Sequence, residues 1–166
     1  MSRMLLTVFV FTIGRVWAYE PDIPRLRALY YKAPQSKAAT DEFFNAVNQG
    51  SAEQYPIISC YKGVALMMKA NFSMNPYLKL NYFKKGKTLI AEAVKRDPRN
   101  IEIRFIRFCA QTNAPFFLGY NNEIEGDKYT ILHSLRTLSD ADLKEKMRAY
   151  MISSDYCSKD EKSVLL

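Results

Sequence analysis

Histidine is almost missing from this chain: His133 is the one imidazole in 166 residues. A multi-histidine metal centre and a two-histidine acid–base pair are therefore excluded. Cysteine is scarce as well. Cys60, Cys109 and Cys157 follow no metal-ligand spacing, and an odd number of thiols completes no disulfide framework. Glycine numbers only six, and no Gly-rich turn follows a strand where a phosphate cradle would need one. Cys60 and Cys109 sit in apolar helical patterns, as buried thiols do, whereas Cys157 lies in polar sequence and is the most reactive candidate. The residual enzymatic option is a cysteine–histidine pair, Cys109 or Cys60 with His133, acting as a hydrolase. The expectation is that the protein is not an enzyme and carries no cofactor.

Acidic residues are also in short supply, 17 against 24 lysines and arginines, for a net charge of +7. An excess this mild favours anionic surfaces or acidic partners without selecting one. The basic positions lack aromatics interleaved on the same side, so nucleic acid is not an expected partner. Long apolar runs are missing except at the start. Met4–Ile13 is an apolar stretch of ten residues behind Arg3, and Val16-Trp17-Ala18 offers a cleavage site after Ala18. The run is too short for a permanent membrane span. Residues 1–18 therefore read as a signal peptide, and the mature protein as exported, periplasmic or secreted, without a transmembrane segment. Loss of Arg3 and Arg15 leaves a net charge of about +5. Residues 19–152 are expected to form a single helical domain, and residues 153–166 a polar C-terminal tail that frays.

What is present in quantity is helical periodicity. Arg25–Ala33 carries Leu26, Leu29 and Tyr30 on one side, with Pro34 as a break. Lys37–Asn48 follows, with Phe43, Phe44 and Val47 apolar, and Gly50 suits its end. Ser51 with Gln54 is a capping-box pattern for a helix running to Asn71, with Pro56 kinking its first turn. In that helix Tyr61, Val64, Ala65 and Met68 recur at helical spacing, and Gly63 permits a close crossing. Asn75 and Pro76 open Tyr77–Arg96, whose apolar stripe includes Phe83, Gly86, Ile90 and Val94 and whose exterior carries Lys79, Lys84, Lys87 and Lys95. Further helices are expected over Asn121–Thr137 and from Asp140 through Ile152.

The stretch Asp97–Tyr120 lies at the centre of the pattern. Asp97-Pro98 stops one helix, Asn100 caps the next, and Ile101–Thr112 is apolar on most of its girth. Such a helix belongs in the middle of a core. Only Arg104, Arg107 and Gln111, spaced three and four apart, form a polar stripe. Charges beside a core are paired, so the arginines call for Glu92, Glu123, Glu125 or Asp127, or for an anionic partner group. After Pro115, Phe116, Phe117 and Tyr120 form either a core plug or, if exposed, a partner site.

Tyr77, Gly86, Ile90, Ala93 and Pro98 match, in order and spacing, the aromatic, small, large, small and proline positions of a tetratricopeptide repeat, and residues 77–102 resemble the later part of that repeat. Ala70, Ser73 and Met74 depart from its earlier tryptophan, leucine and glycine, and no second copy recurs at a 34-residue period. The resemblance implies an all-α fold, a right-handed helical-hairpin array of six or seven helices like a degenerate tetratricopeptide superhelix. Residues 101–121 also resemble a passage found in small exported uncharacterised proteins of Bacteroidetes-type bacteria, which implies export and no activity. The functional expectation is an adaptor that holds a protein or peptide in its concave groove through Arg104, Arg107, Gln111, Phe116, Phe117 and Tyr120. The alternative is a small-molecule or lipid carrier with a cavity between its helices.

Overall fold

A computed structural model describes residues 20–166, so the expected signal segment, residues 1–18, lies outside the described residues. The helices are α1 (Ile23–Lys32), α2 (Lys37–Asn48), α3 (Pro56–Asn71), α4 (Pro76–Arg96), α5 (Ile101–Thr112), α6 (Ile124–Ser134), α7 (Ala141–Ser153) and α8 (Lys159–Ser163). Single 3-10 turns occupy Ala33–Gln35 and Phe116–Leu118. Among the described residues the fold is all-α, with eight helices and no strand.

The caps explain most of these boundaries. Asn75 Oδ1 accepts from the Tyr77 and Leu78 amides, with Pro76 behind it as the first helical residue. Asn100 Oδ1 accepts from Ile103 N at 3.2 Å and opens α5. Asp140 Oδ1 accepts from Leu143 N at 3.0 Å and opens α7. Each side chain satisfies a first-turn donor that lacks an intrahelical partner. The start of α3 departs from expectation. Ser51 Oγ does accept from Gln54 N, but it closes an isolated turn, and the helix begins at Pro56 with Tyr55 as its cap residue. Pro56 is therefore the first helical residue, where its missing N–H costs nothing, and it introduces no kink.

The C-terminal residues 153–166 correct a second expectation, because they are not a frayed tail. Ser158 Oγ accepts from Glu161 N at 3.2 Å while Glu161 Oε2 accepts from Ser158 N at 2.7 Å, a complete capping box that nucleates α8. Cys157 is buried and Leu165 packs against the same apolar cluster. Arg148 donates to the carbonyls of Leu165 and Leu166. The polar composition concealed one buried thiol and one arginine that together tie down the end of the chain.

Helices α3 and α4 form a hairpin that crosses at two glycines. A Cβ on Gly63 would stand 2.8 Å from the Gly86 carbonyl oxygen, and a Cβ on Gly86 would stand 2.5 Å from the Gly63 carbonyl oxygen. Only hydrogen at both positions admits this backbone approach. Around the hairpin lie two apolar clusters. The first joins α1 to α4 through Tyr30, Phe43, Ile58, Tyr61 and Ile90, and the second joins α6, α7 and the following Cys157 through Ile131, Leu135, Met147 and Met151. Helix α5 is shared: Ile103 and Ile106 enter the first cluster, Phe105 and Phe108 the second. Its apolar girth is thus used on both sides, as a central helix requires.

Candidate functional site

The expected partner residues divide into three groups once the helices pack. Arg104 and Arg107 both turn to Asp127 of α6, which has no solvent exposure. Arg107 Nε donates to Asp127 Oδ2 at 2.6 Å and Nη2 to Oδ1 at 2.8 Å, a bidentate fork. Arg104 Nη1 donates to the same Oδ1 at 2.9 Å and its Nε to the Pro98 carbonyl at 2.7 Å. Glu123 approaches Arg107 at 3.6 Å. Of the four acidic residues considered from sequence, Asp127 and Glu123 answer the arginines. The fork holds α5 against α6 and is not an open anion site.

Gln111 and Tyr120 are buried beside this pair. Gln111 Oε1 and the Tyr120 hydroxyl have no hydrogen-bond partner in the protein. The Tyr120 ring packs edge-on against Phe83 with centroids 5.8 Å apart, and Lys87 Nζ lies 5.2 Å from its centre. Burial pushes the Tyr120 phenol up. Tyr120 therefore belongs to the interior, on the α4 side of α5.

Phe116 and Phe117 do the opposite. They are 88% and 84% exposed, on the 3-10 turn that Gly119 ends in a left-handed conformation, φ 56°. Two large apolar side chains thus stand in solvent side by side on this turn. Phe117 also forms part of the wall of a groove of about 790 Å³. Tyr30 and Tyr31 of α1, Met67 and Met68 of α3, Leu80 and Phe83 of α4, Cys109 and Ala110 of α5 and Tyr150 of α7 are among the other lining residues. Lys79 is the single charged residue along it. One wall is well braced. Tyr150 Oη lies 2.7 Å from Thr112 Oγ1 and accepts from Asn113 Nδ2 at 2.6 Å, and burial pushes its phenol up to about 12. The other edge is open: Leu80 is half-exposed, and Met74 and Tyr77 beyond it are exposed. A smaller hollow of about 510 Å³ lies between α6, α7 and the C-terminal residues that Arg148 holds.

Comparison with known proteins returns no matching family model, no matching curated protein and no matching solved structure. The groove has to be understood from its own chemistry, and that chemistry is apolar.

Nucleophilic chemistry has little footing in it. Cys60, Cys109 and Cys157 are free and buried. Burial pushes the Cys60 and Cys109 thiols up, which keeps them protonated and weakly nucleophilic. His133 lies on the exposed side of α6, its Nδ1 3.0 Å from the Tyr129 carbonyl and its ring 4.0 Å from the Tyr129 ring. No hydrogen bond joins it to a cysteine among the described residues. No group of three or more His, Cys, Asp or Glu among them is arranged to hold a metal ion, and none of their helices is long and apolar enough to cross a membrane.

One network escaped sequence reasoning. Arg27 of α1, 4% exposed, uses all five of its N–H donors. Nε and Nη2 grip Glu102 at 2.7 and 3.0 Å, Nη2 and Nη1 reach Asp140 at 2.9 and 3.3 Å, and Nη1 reaches Asp142 at 3.0 Å. Tyr61 donates to Glu102 Oε1 at 2.5 Å. The signal was faint: an arginine between Leu26 and Tyr30 in a short amphipathic helix looks like its solvated edge.

Proposed function

We propose that this protein is an exported, non-enzymatic interaction module that seats an apolar segment of a partner protein in the groove between α1, α3, α4, α5 and the Phe116–Leu118 turn. The observation that carries this reading is the exposure of Phe116 and Phe117 on an ordered turn at the groove's edge. Leu80 of α4 lines the same groove, and Tyr77, next to the lining Pro76, is exposed. Large exposed aromatics of this kind are the side chains on which interfaces concentrate their binding energy. Within this reading Phe116, Phe117, Tyr77 and Leu80 make contact, while Arg104, Arg107, Gln111 and Tyr120 hold the wall from behind.

A photo-crosslinking amino acid in place of Phe117, in the full chain expressed in its source cell, tests the reading. One protein crosslinked at that position, and lost when Leu80→Glu is added, is the expected result. Crosslinks confined to lipid would replace it with the carrier reading, which the groove's volume of about 790 Å³ also suits.

A further inference from the structure

We propose that the occupant of this groove is an amphipathic helix of a partner protein that carries carboxylates beside its apolar stripe. This rests on the groove reading above and names the chemistry of its partner. Three observations lead there. First, the α4 wall presents Pro76, Leu80 and Phe83 along one face. At 1.5 Å of rise per residue they span about 10.5 Å. That is the distance between the first and last anchors of a helix that docks through positions i, i+4 and i+7.

Second, the charge along this wall has one sign and no answer. Lys79 lines the groove, and Lys87 stands two helical turns further on the same row, over the Tyr120 ring. Neither forms an ion pair among the described residues, nor do Lys84, Lys85 or Lys95 on the same helix. Glu92 is the one acidic residue of α4. No acidic side chain lines the groove. Unanswered cations within and just beyond an apolar wall favour a partner with carboxylates beside its anchors and disfavour one with lysines there.

Third, exposed apolar side chains continue beyond the groove on both edges, Phe116 on one and Tyr77 with Met74 on the other. A helix about 10 Å across has side chains to spare for such flanking residues, whereas a single acyl chain buried in the groove leaves them in water.

The test is a display selection of random 16-residue peptides against the full chain in 0.1 M salt, followed by fluorescence anisotropy on synthetic winners. The expected winners carry apolar residues at i, i+4 and i+7 with a net negative charge, and lose binding when scrambled. Each exposed ion pair is worth about two- to five-fold. Lys79→Glu with Lys87→Glu should therefore weaken them about ten-fold, and Leu80→Glu should abolish binding. All three positions are exposed, so circular dichroism of the variants should match the parent. Winners of neutral or basic charge would overturn the acidic partner and leave the groove reading standing. Acidic winners indifferent to Leu80→Glu would bind elsewhere and overturn both. A selection that enriches no family would overturn the helical partner, and a fluorescent fatty acid displaced by Leu80→Glu would then assign the groove to a carrier.

Discussion

Replacement of Arg27 by methionine should be among the most damaging single changes in the molecule. The side chain is 4% exposed and distributes five hydrogen bonds over Glu102, Asp140 and Asp142. Asp140 and Asp142 can turn to water, because their side chains are 41% and 57% exposed. Glu102 cannot, at 10%, and without the guanidinium it keeps only the Tyr61 hydroxyl. Removing one partner of a buried pair costs about 3–5 kcal/mol, since the remaining charge is desolvated and unanswered. Against a total stability of roughly 5–15 kcal/mol, that is a large share. With a urea dependence of about 2 kcal/mol per molar, the unfolding midpoint should fall by about 1.5–2.5 M. Glu102→Gln retains an acceptor for Tyr61 and removes the charge. The double variant Arg27→Met, Glu102→Gln should therefore recover part of the loss, with a coupling of about 1–3 kcal/mol. A cost below about 1 kcal/mol for Arg27→Met, or strict additivity in the double variant, would refute the view that this network fastens α1 to α5 and α7.

Three further expectations follow from packing and titration. Gly86→Ala puts a Cβ 2.5 Å from the Gly63 carbonyl oxygen and should cost about 1–3 kcal/mol, whereas Gly126→Ala, with nothing within 4 Å, should be neutral or gain up to about 1 kcal/mol; thermal melts of the pair distinguish them. Hydrogen bonds from Lys37 and Lys69 hold the Asp41 carboxyl at about 2, the Leu143 amide lowers Asp140, and Arg27 lowers Asp142. Carboxyls lowered by folding contribute stability that is complete above their unfolded value near 4 and is lost as pH falls through the folded values. The urea midpoint should hold from pH 7 to about 5 and drop below about 4; a flat profile down to pH 3 would contradict this. The thiols run the other way: burial raises Cys60, Cys109 and Cys157, so a thiol reagent at pH 8 should react slowly with native protein and rapidly with all three in denaturant.

Legibility from sequence followed locality. Asn75-Pro76, Asn100 and Asp140 stand within three residues of the amides they cap, so the starts of α4, α5 and α7 could be read directly. The apolar girth of Ile101–Thr112 likewise predicted its place between two clusters. Gly63 was legible as a crossing point because a glycine within an apolar helical stripe has few other uses. The arginine stripe was recognised, but its partner had to be chosen among four acids, a choice made by the α5–α6 packing. The Arg27 network was not legible. Its partner Glu102 is 75 residues away and Asp140 is 113 away, and no local spacing encodes either. The divergent fates of Phe117 and Tyr120, three residues apart, were also hidden. They depend on the turn at Phe116–Leu118 and on the left-handed Gly119, which points the chain back to α4.

The placement of the buried charges bears on binding as much as on stability. A buried ion pair adds little net stability over an apolar substitute of the same shape, but it fixes geometry. Here both faces of α5 are held by such pairs, Arg27–Glu102 towards α1 and α7, and Arg107–Asp127 towards α6. Helices α1, α5 and α7 each contribute residues to the groove: Tyr30 and Tyr31, Cys109 and Ala110, and Tyr150. Walls locked in this way do not close when the groove is empty, and a partner then loses less free energy to ordering them. Phe117 and Leu80 stay exposed along the groove. An apolar surface maintained against collapse is an aggregation liability unless something covers it. The positive wall of α4 reduces that liability between identical copies, because two such faces repel, and leaves it open to an acidic partner. Loosening α5 with Arg107→Met should therefore weaken groove binding even though Arg107 touches no ligand. Tightly bound peptide should in turn raise the melting temperature of the wild type more than that of the variant. An equal shift in both would show that the locks serve the fold alone.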